Sequence, residues 1–75
     1  MQQWYLDSGC LKHMTGEKSR FLSIFFKQEG DVTYGDNNKR RILGRGSVGD
    51  KDILVIHDVL YVEGLQHNLL SISQL

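Results

Sequence analysis

Proline is absent from the 75-residue chain, and cysteine occurs once, at Cys10. Without a second cysteine no internal disulfide can form. The exclusion matters because a domain this short buries only about 60% of its unfolded surface and is marginal by itself. Domains of this size lean on a disulfide, a metal or a partner chain. With the disulfide excluded, the support has to come from a metal, another chain or a second copy. A lone cysteine also fits a reducing compartment.

Net charge is missing too, because nine basic and nine acidic residues cancel. No strongly basic field points to nucleic acid, and no acidic tail points to disorder. The longest like-charge run, Lys39-Arg40-Arg41, reads as a solvated turn flank rather than a phosphate-binding patch. No apolar stretch approaches the about 20 residues of a membrane helix. The amino terminus lacks the basic start and apolar core of a signal peptide. A soluble intracellular chain is expected, with no membrane partner. Its start beside an apolar strand and its end inside the apolar run at Leu75 read as cuts through a longer polypeptide.

With no proline, eight glycines do most of the punctuation. Trp4, Tyr5 and Leu6 suit a short buried strand that Asp7-Ser8-Gly9 breaks. Residues 10–14 are ambiguous and fit a second short strand. Phe21, Leu22, Phe25 and Phe26 recur at i, i+1, i+4 and i+5, which predicts a helix of about two turns. Its capping box is incomplete, since no acid stands three residues after Thr15. Gly35-Asp36-Asn37-Asn38 is the strongest turn, built from residues that tolerate positive φ. The segments around it predict a hairpin over residues 32–48 with a polar tip. Gly44 and Gly46 fall on one face of its second strand, marking a place where something approaches the backbone closely. Residues 52–57 and 59–62 read as two further strands, and Leu69 to Ile72 as a strand passing into a helix. Many short strands with one helix predict a mainly β domain, a small barrel or sandwich.

Asp7 is the leading chemical candidate. An aspartate after a strand is most often a turn residue bonded to the backbone. Here Ser8 supplies a hydroxyl beside it, and Gly9 lets the chain bend sharply. Hydrolysis by aspartates needs two carboxylates sharing one proton. The chain contains "DSG" once, so the second Asp7 has to come from another copy. Cys10 and His13, with His57 and His67, are spaced too irregularly for zinc. A Cys10–His13 nucleophile pair is outweighed by a small buried Cys10. "LGRGSVG" lacks the lysine and the following helix of a phosphate loop. No metal or cofactor is expected.

"WYLDSGCLKHMTG", "VTYGDNNKRRILGRGSV" and "VLYVEGLQHNLLSISQL" together resemble the protease region of copia-type LTR retrotransposon Pol polyproteins, over nearly the whole chain. That family is retropepsin-like. The resemblance implies a small β-barrel with a flap hairpin and one short helix, forming a symmetric homodimer. It further implies an aspartic endopeptidase cleaving the Gag-Pol polyprotein, within virus-like particles of the cytoplasm. Asp7 would be the catalytic carboxylate, Ser8 would bond the two active-site loops together, and Gly9 would permit the loop. Tyr34, Gly35, Asp36, Asn37, Asn38 and Gly44 would belong to a flap over the peptide substrate. Leu69, Leu70 and Ser71 stand where retropepsins carry two apolar residues and a glycine under the active-site loop. Ser71 in place of that glycine, and only six residues before Asp7, bear on the dimer more than on the chemistry. The alternative is a catalytically inactive β-barrel remnant that binds peptide or acts structurally. A nucleic-acid-binding barrel would rest only on Lys39–Arg41 and Arg45.

Overall fold

The computed structural model describes residues 4–7, 12–34, 38–50, 52 and 54–72, with the side chains of Asp7, Tyr34 and Asp50 left out. Among them are seven strands: β1 (Trp4–Asp7), β2 (His13–Thr15), β3 (Phe21–Phe26), β4 (Asp31–Tyr34), β5 (Asn38–Asp50), β6 (Leu54–Val62) and β7 (Asn68–Ser71). The main sheet runs β1-β7-β2-β6-β5-β3, and β4 pairs with the first part of β5. Two pairings are parallel, β1 with β7 and β2 with β6; the others are antiparallel. The chain is mainly β, as its sequence predicts. Among the described residues β1 and β3 end the sheet without meeting, so it does not close.

The helix predicted from the phenylalanine spacing is a strand. Helical structure among the residues before it is a single 3-10 turn, Lys18–Arg20. Two facts explain the misleading period. Residues 21–26 are rich in aromatic and branched side chains that suit a pleated surface. The β3–β5 register also slips between Phe21 and Ser23. An extra residue in a strand turns an odd spacing into a shared face. Phe21 and Phe26, five apart, thus both reach Tyr61 edge-on, at 5.9 and 6.4 Å between ring centroids.

The hairpin is shorter than the sequence suggests. β4 pairs with β5 only over Asn38–Arg41. Beyond Ile42, β5 becomes a central strand between β3 and β6. Gly44, expected in the flap, is buried in the main sheet beyond the paired part of the hairpin. A Cβ at Gly44 would lie 2.6 Å from the Phe25 carbonyl oxygen, and one at Gly46 would lie closer still to that of Ser23. What approaches these glycines is the backbone of β3.

Residues 52–57 and 59–62, predicted as two strands, are mostly one. β6 runs from Leu54 to Val62 and is bent at Asp58, which takes φ +58°. The β5–β6 register shifts between Gly46 and Val48, so His57 and Asp58 both stand against Ser47. Aspartate accepts this left-handed conformation better than most residues.

The core gathers Met14, Ile42, Leu60, Val62, Leu65 and Leu69, with Val32 of the hairpin packed against it. Val59 and Val62 are wholly buried. Each such aliphatic side chain contributes about 1.5–3 kcal/mol through loss of apolar contact with water. β2, β6 and β7 supply most of this core, so it sits against the middle of the sheet.

Gly46→Ala is expected to destabilise the chain by about 1–3 kcal/mol, because its methyl has to push β3 off β5. Urea denaturation checks this, with Ser23→Ala, at an exposed site, staying within about 0.5 kcal/mol of wild type.

Candidate active site

β1 is an edge strand, and its last residue is Asp7. The parallel ladder with β7 sets Tyr5 opposite Leu69, Leu6 opposite Leu70 and Asp7 opposite Ser71. The segment expected to lie under the active-site loop is thus the strand beside Asp7. Ser8, Gly9 and Cys10 lie outside the described residues, as do Gly35, Asp36 and Asn37 of the hairpin tip. Asn38 opens β5 and pairs with Tyr34, which holds the base of that tip.

Behind β7 lies β2. Their shared ladder among the described residues is one antiparallel pair, Met14 with Leu69. Side chains extend it in both directions. The Ser71 N–H donates to His13 Nδ1 at 2.9 Å. On the other side of the pair, the Thr15 hydroxyl donates to Asn68 Oδ1 and accepts the Glu17 N–H at 3.2 Å. Thr15, Asn68 and Ser71 are fully buried and His13 is 4% exposed, so water does not compete. Burial holds the His13 pKa below its ordinary value; Asp58 opposes that and Lys12 reinforces it. The neutral ring required to accept at Nδ1 is therefore the form the site favours.

Asp58 anchors a cluster of charges. Lys12 reaches it at 3.0 Å and Arg45 at 3.2 Å, and Arg45 also bonds Glu29. The Lys12 hydrogen bond is the largest cause of a lowered Asp58 pKa, with further help from the Lys12, Arg45 and His13 charges against its desolvation. The pairs tie the start of β2, the bend in β6, β5 and the β3–β4 connection together. All are partly exposed, so each is worth little energetically and acts mainly to orient.

An open, largely apolar groove of 580 Å³ is lined by Trp4 of β1 and Leu70 of β7 with Val48, Gly49, Leu54, Ile56, Ser19 and Arg20. Leu54, in its lining, remains largely exposed. Among the described residues no group of three His, Cys, Asp or Glu is arranged to hold a metal ion. His13, weighed as a ligand or as Cys10's partner, accepts a backbone N–H at Nδ1.

The sheet thus brings Asp7, Leu69, Leu70 and Ser71 together, and places Tyr34 and Asn38 on the hairpin and Gly44 away from it. Thr15, Asn68 and Asp58 were not singled out from the sequence. The available signal for the first two was the pair of strings "HMT" and "HNLLS": each sets polar side chains among apolar ones. The charge of Asp58 inside an apolar run marks an interruption between residues 57 and 59, but not the partners that hold it.

The chain matches, over residues 4–75, the family model described as Pol polyprotein, beta-barrel domain, and it belongs to that family. It is also similar to a Saccharomyces cerevisiae protein named for the transposon Ty5-1, with 34% identity over 70 residues. That match takes in 93% of this chain and 47% of the yeast protein, so the chain spans about half the length of the curated relative. No solved structure matches. The chain is therefore a region of a retrotransposon Pol polyprotein.

Thr15→Val is expected to cost about 1–3 kcal/mol, because it takes a buried partner from both Asn68 and the Glu17 amide. A urea midpoint that falls with an unchanged slope checks it. Stability should also fall with acid. His13 and Asp58 both have folded pKa values below their unfolded ones, so the unfolded chain binds more protons. Their contributions are complete above about pH 6.5 and about pH 4 respectively, and are lost as pH falls through each range. Thermal melts from neutral to acid pH should show both, with His13→Asn flattening the upper part and Asp58→Asn the lower.

Proposed function

We propose that this chain is the aspartic endopeptidase of a copia-type LTR retrotransposon, cleaving the Gag-Pol polyprotein as a retropepsin-like homodimer. The observation that carries the reading is the parallel β1–β7 ladder, which sets Asp7 opposite Ser71 at the end of an edge strand. That is the neighbourhood the resemblance assigns to a catalytic carboxylate. Membership of the Pol polyprotein family supports the polyprotein context.

Each subunit contributes one Asp7. Two carboxylates brought close share a proton, because both cannot ionise side by side. One then takes a proton from water as general base while the other protonates the scissile carbonyl. Ser8 bonds the two loops together, and Gly9 allows their tight turn. The hairpin tip, from Tyr34 through Gly35, Asp36 and Asn37 to Asn38, covers an extended peptide and pairs with its backbone. Gly44 has no part in this, since it serves the β3–β5 contact. The partners are a second copy and polyprotein peptide, with no nucleic acid or membrane. The setting is the cytoplasm, within virus-like particles.

Asp7→Asn should reduce cleavage of a peptide spanning a polyprotein junction by about 10³-fold or more, with the urea midpoint nearly unchanged. Sedimentation should show a dimer at the concentrations where wild type cleaves. Undiminished cleavage by Asp7→Asn, or cleavage by a strict monomer, would overturn the proposal. A folded wild-type chain that binds such a peptide without cutting it would favour the inactive remnant.

A further inference from the structure

Asp7 and His13 lie on different strands, but one residue joins them. Ser71 is paired with Asp7 across the β1–β7 ladder, while its N–H donates to His13 Nδ1 on the other side at 2.9 Å. β2 offers a side-chain nitrogen there in place of a backbone carbonyl. That makes this bond unlike the backbone pairs of the ladders, because its acceptor can be protonated. With the proton on Nε2 alone, the ring accepts. A second proton, on Nδ1, turns the acceptor into a donor facing the Ser71 N–H. Two buried donors then oppose each other, and both are shut away from water.

We propose that His13 is a proton-sensitive latch, whose neutral imidazole holds Ser71 and through it the Asp7 end of β1. Protonation releases the latch and loosens that end of the strand. The effect on catalysis rests on the endopeptidase reading, and the latch itself does not. His13 is thus a positioning residue that acts through Ser71.

The groups around the ring set where it switches. From the bend of β6, the Asp58 carboxylate favours the second proton, and Lys12 at the start of β2 opposes it. Asn68–Ser71 of β7 offer no titratable side chain. Burial outweighs the charges and keeps the ring neutral near pH 7, so the latch is closed there and opens in acid. Asp58 is itself held by Lys12 and Arg45.

The test uses the 75-residue chain as wild type, His13→Asn and His13→Phe. Asparagine keeps a short acceptor that does not titrate; phenylalanine removes the acceptor. NMR follows the His13 ring signals and Ser71 amide exchange between about pH 4 and 8. In wild type, Ser71 exchange, corrected for its intrinsic pH dependence, should rise about tenfold in step with His13 protonation. His13→Asn should show no such step, and His13→Phe should be unprotected throughout. Should His13→Phe fail to fold, wild type against His13→Asn decides. Ser71 protection that stays constant through the His13 titration overturns the latch.

On a junction peptide, the acid limb of the kcat profile should move to lower pH in His13→Asn, with KM within about twofold. An acid limb identical in the two chains overturns the functional role. A wild type that cuts nothing while Ser71 exchange follows His13 sinks the endopeptidase reading and supports the latch.

Discussion

Strand β7 lies between β1, which ends in Asp7, and β2, and its hold on β2 is a seam made mostly by side chains. One backbone pair, Met14 with Leu69, is flanked by the His13–Ser71 bond and the Thr15–Asn68 bond. Because these polar atoms are buried, the alternative to each bond is an unsatisfied group rather than a hydrated one. The seam is therefore specific: slipping β7 by one residue would break both bonds and turn Leu69 out of the core. The position of the β1 edge follows from it, since β1 reaches the rest of the sheet through β7.

A second constraint works at the far end of the sheet. β5 carries small residues where β3 crosses it, so the backbones come closer than a methyl group allows. β3 then pairs closely at the edge, with Phe25 and Phe26 left largely exposed while Phe26 still touches Tyr61. The bend at Asp58 lets β6 serve two partners, β5 along its length and β2 in parallel at Val59–Tyr61. The Lys12 and Arg45 contacts to Asp58 tie that bend to the start of β2, next to the seam.

The strands over 4–6 and 69–71 were legible from apolar runs and flanking turns, and the hairpin from its polar tip. So was the close approach at Gly44 and Gly46, although its partner was not. The phenylalanine segment misled because a register slip imitates helical spacing, and such a slip exists only once β5 is alongside. Asp58 looked like a break because a charged residue inside an apolar run has no local reason to stay in a strand. Its reason is Lys12 and Arg45, 46 and 13 residues away in sequence.

By itself the sequence determined the β character, the exclusion of an internal disulfide, the single Asp-Ser-Gly box and the retrotransposon Pol polyprotein context. These depend on composition and local strings, which no tertiary contact alters. Only the tertiary structure decided that His13 accepts the Ser71 N–H, that Gly44 belongs to the sheet, and that Ser71 joins Asp7 to a titratable ring. Each of these is set by register between strands distant in sequence. Such register depends on which buried donors find acceptors, and no single segment carries both halves of that pairing.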